Sequence, residues 1–339
     1  MASDRALLIA AGGGIGDTLL AGVVAHALRA RYAHVDALVL PAHRAIPQHD
    51  PAIERVHVMA SPLPTAEDLR PLDYAAAIVT WANIDTALVP AIAQIPVRVG
   101  QARRLYSRLF TERVAVRSER GDRTTHWTQI LLDYARAIGC DDPLAQPAFV
   151  TTAEDRAAAE TLLGMYGVAG DFALLHPSRG LSAQRDRWPS AGFIALARRL
   201  RERDGLPLLV TGAPADAPLA ATIAAASGAI SIAGATTLGT YAALAERARY
   251  VVAMDSGPMH VAAAVGAPTA GIFALQSDEP DRWAPIGPRV RVVRAVYPCP
   301  PAHRKETCPD FACVRHLDIG AIVAAIDGVT ESLTEPEPG

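Results

Sequence analysis

The sequence predicts an α/β protein made of two Rossmann-like lobes, each a parallel sheet covered by helices, with a cleft between them. Three observations carry that expectation. The chain has 339 residues, long for one domain and comfortable for two. Hydrophobic residues make up 50% of it, enough for two cores. Short continuous apolar runs alternate with helix-period runs in two successive series, as strands buried on both faces and their covering helices should.

In the first series, residues 6–11 read as a buried strand and the glycines of residues 12–16 as a tight turn. Residues 17–31 follow as a helix with Leu19, Leu20, Val23, Val24, Ala27 and Leu28 on one stripe. Strands are expected at 35–40, 55–59, 75–80 and 97–100, and helices at 85–95 and 124–138, the last stopped by Gly139. Prolines and acids at 140–155 break the pattern, so the amino lobe is placed at 1–150 and the carboxyl lobe at 151–329. In the second series, strands are expected at 172–176, 207–211, 229–232, 250–254, 269–273 and 290–293. Helices are expected at 190–203, 215–226, 238–247, 258–265 and 318–326. Residues 330–339 are acidic and proline-containing and read as a disordered tail.

A formal net charge of -3 argues against a nucleic-acid-binding protein. No stretch has the make-up of a signal peptide or of a membrane-spanning helix, so a cytoplasmic protein is expected, touching a membrane surface at most transiently. There Cys140, Cys299, Cys308 and Cys313 should be thiols rather than disulfides. The spacing of the last three, with His303 and His316 nearby, is a poor match to a zinc site, and no metal is expected.

The turn after the first strand places glycines where a phosphate could sit, but Asp17 stands where a dinucleotide fingerprint needs its third glycine. The second strand ends in Leu40-Pro41, without the acid that would hold a ribose. NAD binding is therefore not expected. Asp17 either caps the helix or projects into the cleft as a base, with Gly14 and Gly16 shaping the acceptor side.

The segment Asp255-Ser256-Gly257-Pro258-Met259-His260 runs from a strand into a helix, with Pro258 placed at the first helical position. Ser256, Gly257 and Met259 offer backbone N–H groups to an anion there, Asp255 suits sugar hydroxyls, and His260 suits a phosphate or sugar. The bland reading is an ordinary turn with Ser256 as cap. The loop from His176 through Ser178, Arg179, Arg185 and Arg187 gathers cations that would neutralise a diphosphate. The turn Thr211-Gly212 followed by Asp216 offers a carboxylate to a ribose, or simply caps a helix.

Taken together, Gly16-Asp17, Arg187-Trp188-Pro189 and the Asp255 loop resemble the heptosyltransferase family, glycosyltransferase family 9, over roughly residues 5–327. The resemblance implies a GT-B fold and an inverting, cofactor-free transfer from a nucleotide-sugar donor, typically an ADP-heptose, onto the inner core of lipopolysaccharide. It assigns the base to Asp17, donor contacts to Asp255, Ser256, Gly257 and His260, and phosphate or nucleoside contacts to Ser178 and Asp216. Two departures matter. Asp186 stands where the family often has a lysine, so Arg179, Arg185 or Arg187 is expected to replace its charge. Leu20-Ala21-Gly22-Val23 differs from the lipopolysaccharide enzymes, which leaves a protein, glycan, lipid-linked or small-molecule acceptor open. An epimerase with two such lobes and a non-catalytic sugar-nucleotide-binding module remain rival readings.

Overall fold

The computed structural model describes residues 3–178, 188–275, 277, 279–299 and 308–331. It divides into two compact units, Met1–Val150 with Asp281–Trp283, and Thr151–Pro280 with Ala284–Gly339.

The first unit holds strands β1 (Arg5–Ala10), β2 (His34–Val39), β3 (Val56–Val58), β4 (Ala76–Val79), β5 (Val97–Gln101) and β6 (Glu112–Val114). Its helices are α1 (Ile15–Arg29), α2 (Ala45–Gln48), α3 (Pro62–Leu69), α4 (Ile84–Ile92) and α5 (Trp127–Arg136). All strand pairs are parallel, in the order β3-β2-β1-β4-β5-β6. The central strand explains why the sheet is sandwiched. Ala6, Leu8 and Ala10 point to one core with Leu20, Val23, Val24 and Leu28 of α1 and Ile130 and Leu131 of α5. Leu7 and Ile9 point to the other core with Ala66 and Leu69 of α3 and Ala87 and Val89 of α4. Alternation by two along a strand that is apolar throughout serves both faces. Each fully buried leucine contributes roughly 1.5–3 kcal/mol relative to an exposed one.

The second unit holds β7 (Ala173–His176), β8 (Leu208–Val210), β9 (Ile230–Ser231), β10 (Tyr250–Met254), β11 (Thr269–Phe273) and β12 (Val290–Arg294). Its helices are α6 (Ala153–Met165), α7 (Ser190–Asp204), α8 (Ala217–Ser227), α9 (Leu238–Arg247), α10 (Gly257–Ala264) and α12 (Ile319–Thr330). A short α11 (Pro280–Trp283) carries the residues that belong to the first unit. The second sheet is also parallel, ordered β12-β11-β10-β7-β8-β9. Numbered from its own first strand, that is the same doubly wound order as the first sheet. In each, the strand order reverses between the first and fourth strands, β1 with β4 and β7 with β10, and ligands bind outside the carboxyl ends at such a point.

Three expectations need correcting. Helix α1 begins at Ile15, so Gly16 lies in its first turn rather than in the preceding loop. Helix α6, capped by Thr152, starts within the stretch read as a break and runs on through residues to which no element was assigned. Helix α12 runs on to Thr330, the first residue of the expected tail, while 332–339 lie outside the described residues.

Candidate active site

The first switch point is built by the turn from β1 into α1 and by the residues after β4. Gly12 is pressed against Trp81: a Cβ there would lie 2.7 Å from the Trp81 carbonyl oxygen. Gly13 has φ +71°, and a Cβ on it would lie 2.5 Å from Asp17 Oδ2. Any larger residue would therefore expel the carboxylate or the tryptophan. Asp17 sits in the first turn of α1, and its Oδ2 accepts the Gly14 N–H at 2.7 Å. Its Oδ1 accepts from no other described group. Burial raises the Asp17 pKa, and the Gly14 hydrogen bond opposes that rise only in part. A carboxylate so placed is a stronger base than one in water. The capping reading of Asp17 is thus present in the structure, and the carboxylate keeps a second oxygen that accepts from no described group.

Behind it, Thr18 Oγ1 donates to Gly14 O at 3.1 Å and lies 2.9 Å from His43 Nδ1. With its own proton given to Gly14, the threonine oxygen accepts, which assigns the ring proton to Nδ1. Burial lowers the His43 pKa, so the ring stays neutral. This support was not foreseen, because His43 stands alone in the sequence and reaches Thr18 only through the pairing of β1 with β2.

The second switch point gathers the residues assigned to the donor. Ser178 follows β7 and Asp255 follows β10, two paired strands with Ala253 opposite His176. Thr211, Gly212 and Asp216 follow β8, the neighbour on the other side of β7. Helix α10 starts at Gly257, so Pro258 occupies the second helical position rather than the first. The Ser256 hydroxyl does not cap the helix: it donates back to Met254 O at 2.8 Å. The capping reading of Ser256 therefore fails, and its side chain does not occupy the N–H groups of the helix start.

Other residues are placed less favourably for direct contact. Met259 is fully buried, and its sulfur fills the space that Gly271 leaves by lacking a Cβ; its N–H bonds Ser256 O at 3.1 Å. Thr211 is likewise buried, with Oγ1 2.9 Å from His176 Nδ1. Asp216 Oδ2 accepts the Ala213 N–H at 3.1 Å, as a helix-start carboxylate does. His260 and Ser178 are buried, and Asp255 is half-buried. Arg179, Arg185 and Arg187 lie outside the described residues.

Tyr241 completes this region. Its hydroxyl donates to Pro258 O at 3.1 Å, and its ring meets the edge of His176 at 6.0 Å between centroids. The pair ties α9 and α10 to β7 and so fixes the direction of the α10 start. Burial brings the His176 pKa down to about 4, so the imidazole there is neutral. Tyr241 carries no signal in the sequence, being one aromatic in an ordinary helix. Among the described residues, no group of three histidine, cysteine or acidic side chains is arranged to hold a metal, and no helix is long and apolar enough to cross a membrane. The four cysteines are free thiols.

Solved structures with this arrangement include glycosyltransferases. A glycosyltransferase family 9 protein from Veillonella parvula superposes with a TM-score of 0.83 at 18% identity, covering 97% of both chains. ADP-heptose lipopolysaccharide heptosyltransferase II of E. coli gives 0.80 at 19% identity, over 98% of this chain and 100% of that one. The E. coli heptosyltransferase WaaC with ADP gives 0.70 at 20% identity, over 95% and 99%. These likenesses establish the GT-B fold. No curated protein sequence matches the chain. The sequence model described as Glycosyltransferase family 9 (heptosyltransferase) matches residues 64–310, well over half of the chain. The protein belongs to glycosyltransferase family 9, the heptosyltransferase family.

Proposed function

We propose that this enzyme moves a heptose, or a closely similar sugar, from an ADP-sugar to an acceptor hydroxyl with inversion, in the cytoplasm and in synthesis of lipopolysaccharide core or another glycoconjugate. The carrying observation is the uncapped start of α10, aimed from the switch point of the second sheet while Ser256 Oγ turns back to Met254 O. Such a helix start takes an anion through backbone N–H groups and the helix dipole. The E. coli relatives described with ADP and with an ADP-2-deoxy-2-fluoro heptose support a nucleoside diphosphate as that anion.

In the transfer, the acceptor oxygen forms its bond to the anomeric carbon as the bond to the diphosphate breaks. The acceptor proton passes to Asp17 Oδ1, and ADP leaves with the electron pair. Base assistance of this kind is typically worth ~10²–10⁴-fold, and stabilising the leaving diphosphate contributes as much or more. Asp255, Ser256, Gly257 and His260 are assigned to the donor, with Ser178 and Asp216 at its phosphate and nucleoside. At least one of Arg179, Arg185 and Arg187 supplies the charge at the β-phosphate. The donor is the only small molecule required besides the acceptor.

The test is ADP release from ADP-heptose, with and without lipopolysaccharide truncated before its first heptose. Acceptor-dependent release, with an inverted linkage in the product, is expected. Equal release without acceptor, or conversion of the donor to an isomer, would replace the transferase with a hydrolase or an epimerase.

A further inference from the structure

The turn that carries Asp17 has little of its own to hold it. Gly12, Gly13 and Gly14 lie in a row, and glycine gives the backbone more freedom than any other residue. Gly14 precedes α1 without a side chain to cap it. The Asp17 carboxylate is anchored to this soft stretch through the Gly14 N–H at 2.7 Å. The placement of the carboxylate therefore depends on what restrains the Gly14 peptide.

Thr18 supplies the restraint. Its N–H and its Oγ1 both donate to the Gly14 carbonyl oxygen, each at 3.1 Å. A helical threonine that bonds the carbonyl four residues back needs no further partner. Yet His43, from the 3-10 turn Pro41–His43 that follows β2, brings Nδ1 to 2.9 Å from the same Oγ1. Both side chains are buried, Thr18 at 4% exposure and His43 at 8%. Among the described residues, the Thr18 hydroxyl is the one hydrogen-bond partner of His43. Burying an imidazole is costly, and an apolar pair of the same shape would pack at almost no loss. Packing therefore does not account for His43, whereas a threonine hydroxyl locked in one rotation does. Because the ring N–H donates to Oγ1, the hydroxyl proton is turned onto Gly14 O.

We propose that His43 is a positioning residue for the transfer: acting through Thr18 and the Gly14 peptide, it holds the Asp17 carboxylate in its reactive placement. The inference rests on the transferase reading above, in which Asp17 is the base. His43 is not itself catalytic, since it touches Thr18 and not the carboxylate. Without its N–H, the Thr18 hydroxyl is free to rotate and Gly14 O loses one of its two donors from Thr18. The peptide then loosens, and the bond from the Gly14 N–H to Asp17 Oδ2 weakens with it. A displacement of about 1 Å at a reacting group costs ~10²-fold, so a partial loosening costs about tenfold. The same loosening raises the Asp17 pKa further, because the Gly14 N–H is what opposes the effect of burial there.

The experiment reads two quantities on the full chain. One is the Asp17 carboxyl pKa, from the carboxyl carbon NMR resonance that Asp17→Asn removes. The other is kcat for ADP release from ADP-heptose with the truncated lipopolysaccharide acceptor. His43→Leu removes the donor, and Thr18→Val removes the hydroxyl while keeping its shape. Each should raise the Asp17 pKa and lower kcat about tenfold, with ADP affinity unchanged. The double variant should be no slower than Thr18→Val alone, because both act through one contact. His43→Asn, whose amide nitrogen stands where Nδ1 stood, should restore the pKa and bring kcat to within roughly twofold of wild type. If His43→Leu does not fold, His43→Gln takes its place, since its amide nitrogen lies beyond the Nδ1 position. An unmoved Asp17 pKa or wild-type kcat in the variant without the donor would overturn the proposal, as would a His43→Asn enzyme equally impaired. Wild-type turnover by Asp17→Asn would remove the base reading and the proposal with it. Wild-type turnover by His43→Leu beside a slow Asp17→Asn would remove the proposal alone.

Discussion

The Gly14 N–H holds Asp17 Oδ2 at 2.7 Å, which fixes the carboxylate while Oδ1 accepts from no other described group. Burial sets this group's pKa above the ordinary carboxylate value. A base acts when ionised, so kcat/KM should rise with pH through an acid limb centred above pH ~4, the usual carboxylate position. A pH–rate profile checks this. An acid limb at or below that position would mean that Asp17 does not titrate in the reaction.

His176 makes a stability prediction of definite sign. Its pKa falls from 6.5 to about 4 on burial, beside Thr211 Oγ1 at 2.9 Å. The neutral form is the folded form, so its contribution is complete above pH 6.5 and is lost as pH falls towards 4. The full effect is on the order of 3 kcal/mol. His176→Gln should flatten the dependence of Tm on pH across that interval. A curve parallel to wild type would assign the acid sensitivity elsewhere.

At the α10 start, stability and function should separate. Ser256→Asp puts a good capping carboxylate where an anion is to bind. Tm should hold or rise, while ADP affinity falls at least a hundredfold. Unimpaired ADP binding by this variant would remove the α10 start from the donor site.

A diphosphate held without a cation would be costly. Among Arg179→Ala, Arg185→Ala and Arg187→Ala, one should weaken donor binding by more than tenfold, about 1.4 kcal/mol. Calorimetry on the three single variants reads this out. Three normal affinities would move the charge to another group.

Sequence legibility followed the range of the interactions. Strands β10 and β11 and helix α9 match their expected limits, because their apolar runs are bounded by local turn residues. Helix α6 was missed because it buries little, with Ala159, Leu162 and Leu163 its only buried residues. The Asp255 loop was legible as a motif, but the return of Ser256 Oγ to Met254 O was not. The inward turn of the Met259 side chain was not legible, because it depends on the missing Cβ of Gly271 on β11. The partners His43, Trp81 and Tyr241 act through strand pairing and helix packing, which no local spacing encodes.

Asp17→Asn tests the assignment of Asp17 as the base. Asp17→Asn retains an oxygen for the Gly14 N–H and removes a half-buried charge whose raised pKa disfavours folding as pH rises through it. Tm at neutral pH should therefore stay level or rise by up to about 3 °C, and ADP affinity should be unchanged. The measurement is kcat of Asp17→Asn with donor and acceptor at saturation. With Asp17 as the base, kcat falls by ~10²-fold or more. Wild-type turnover in a folded, donor-binding Asp17→Asn enzyme would contradict it and leave Asp17 as a helix cap alone.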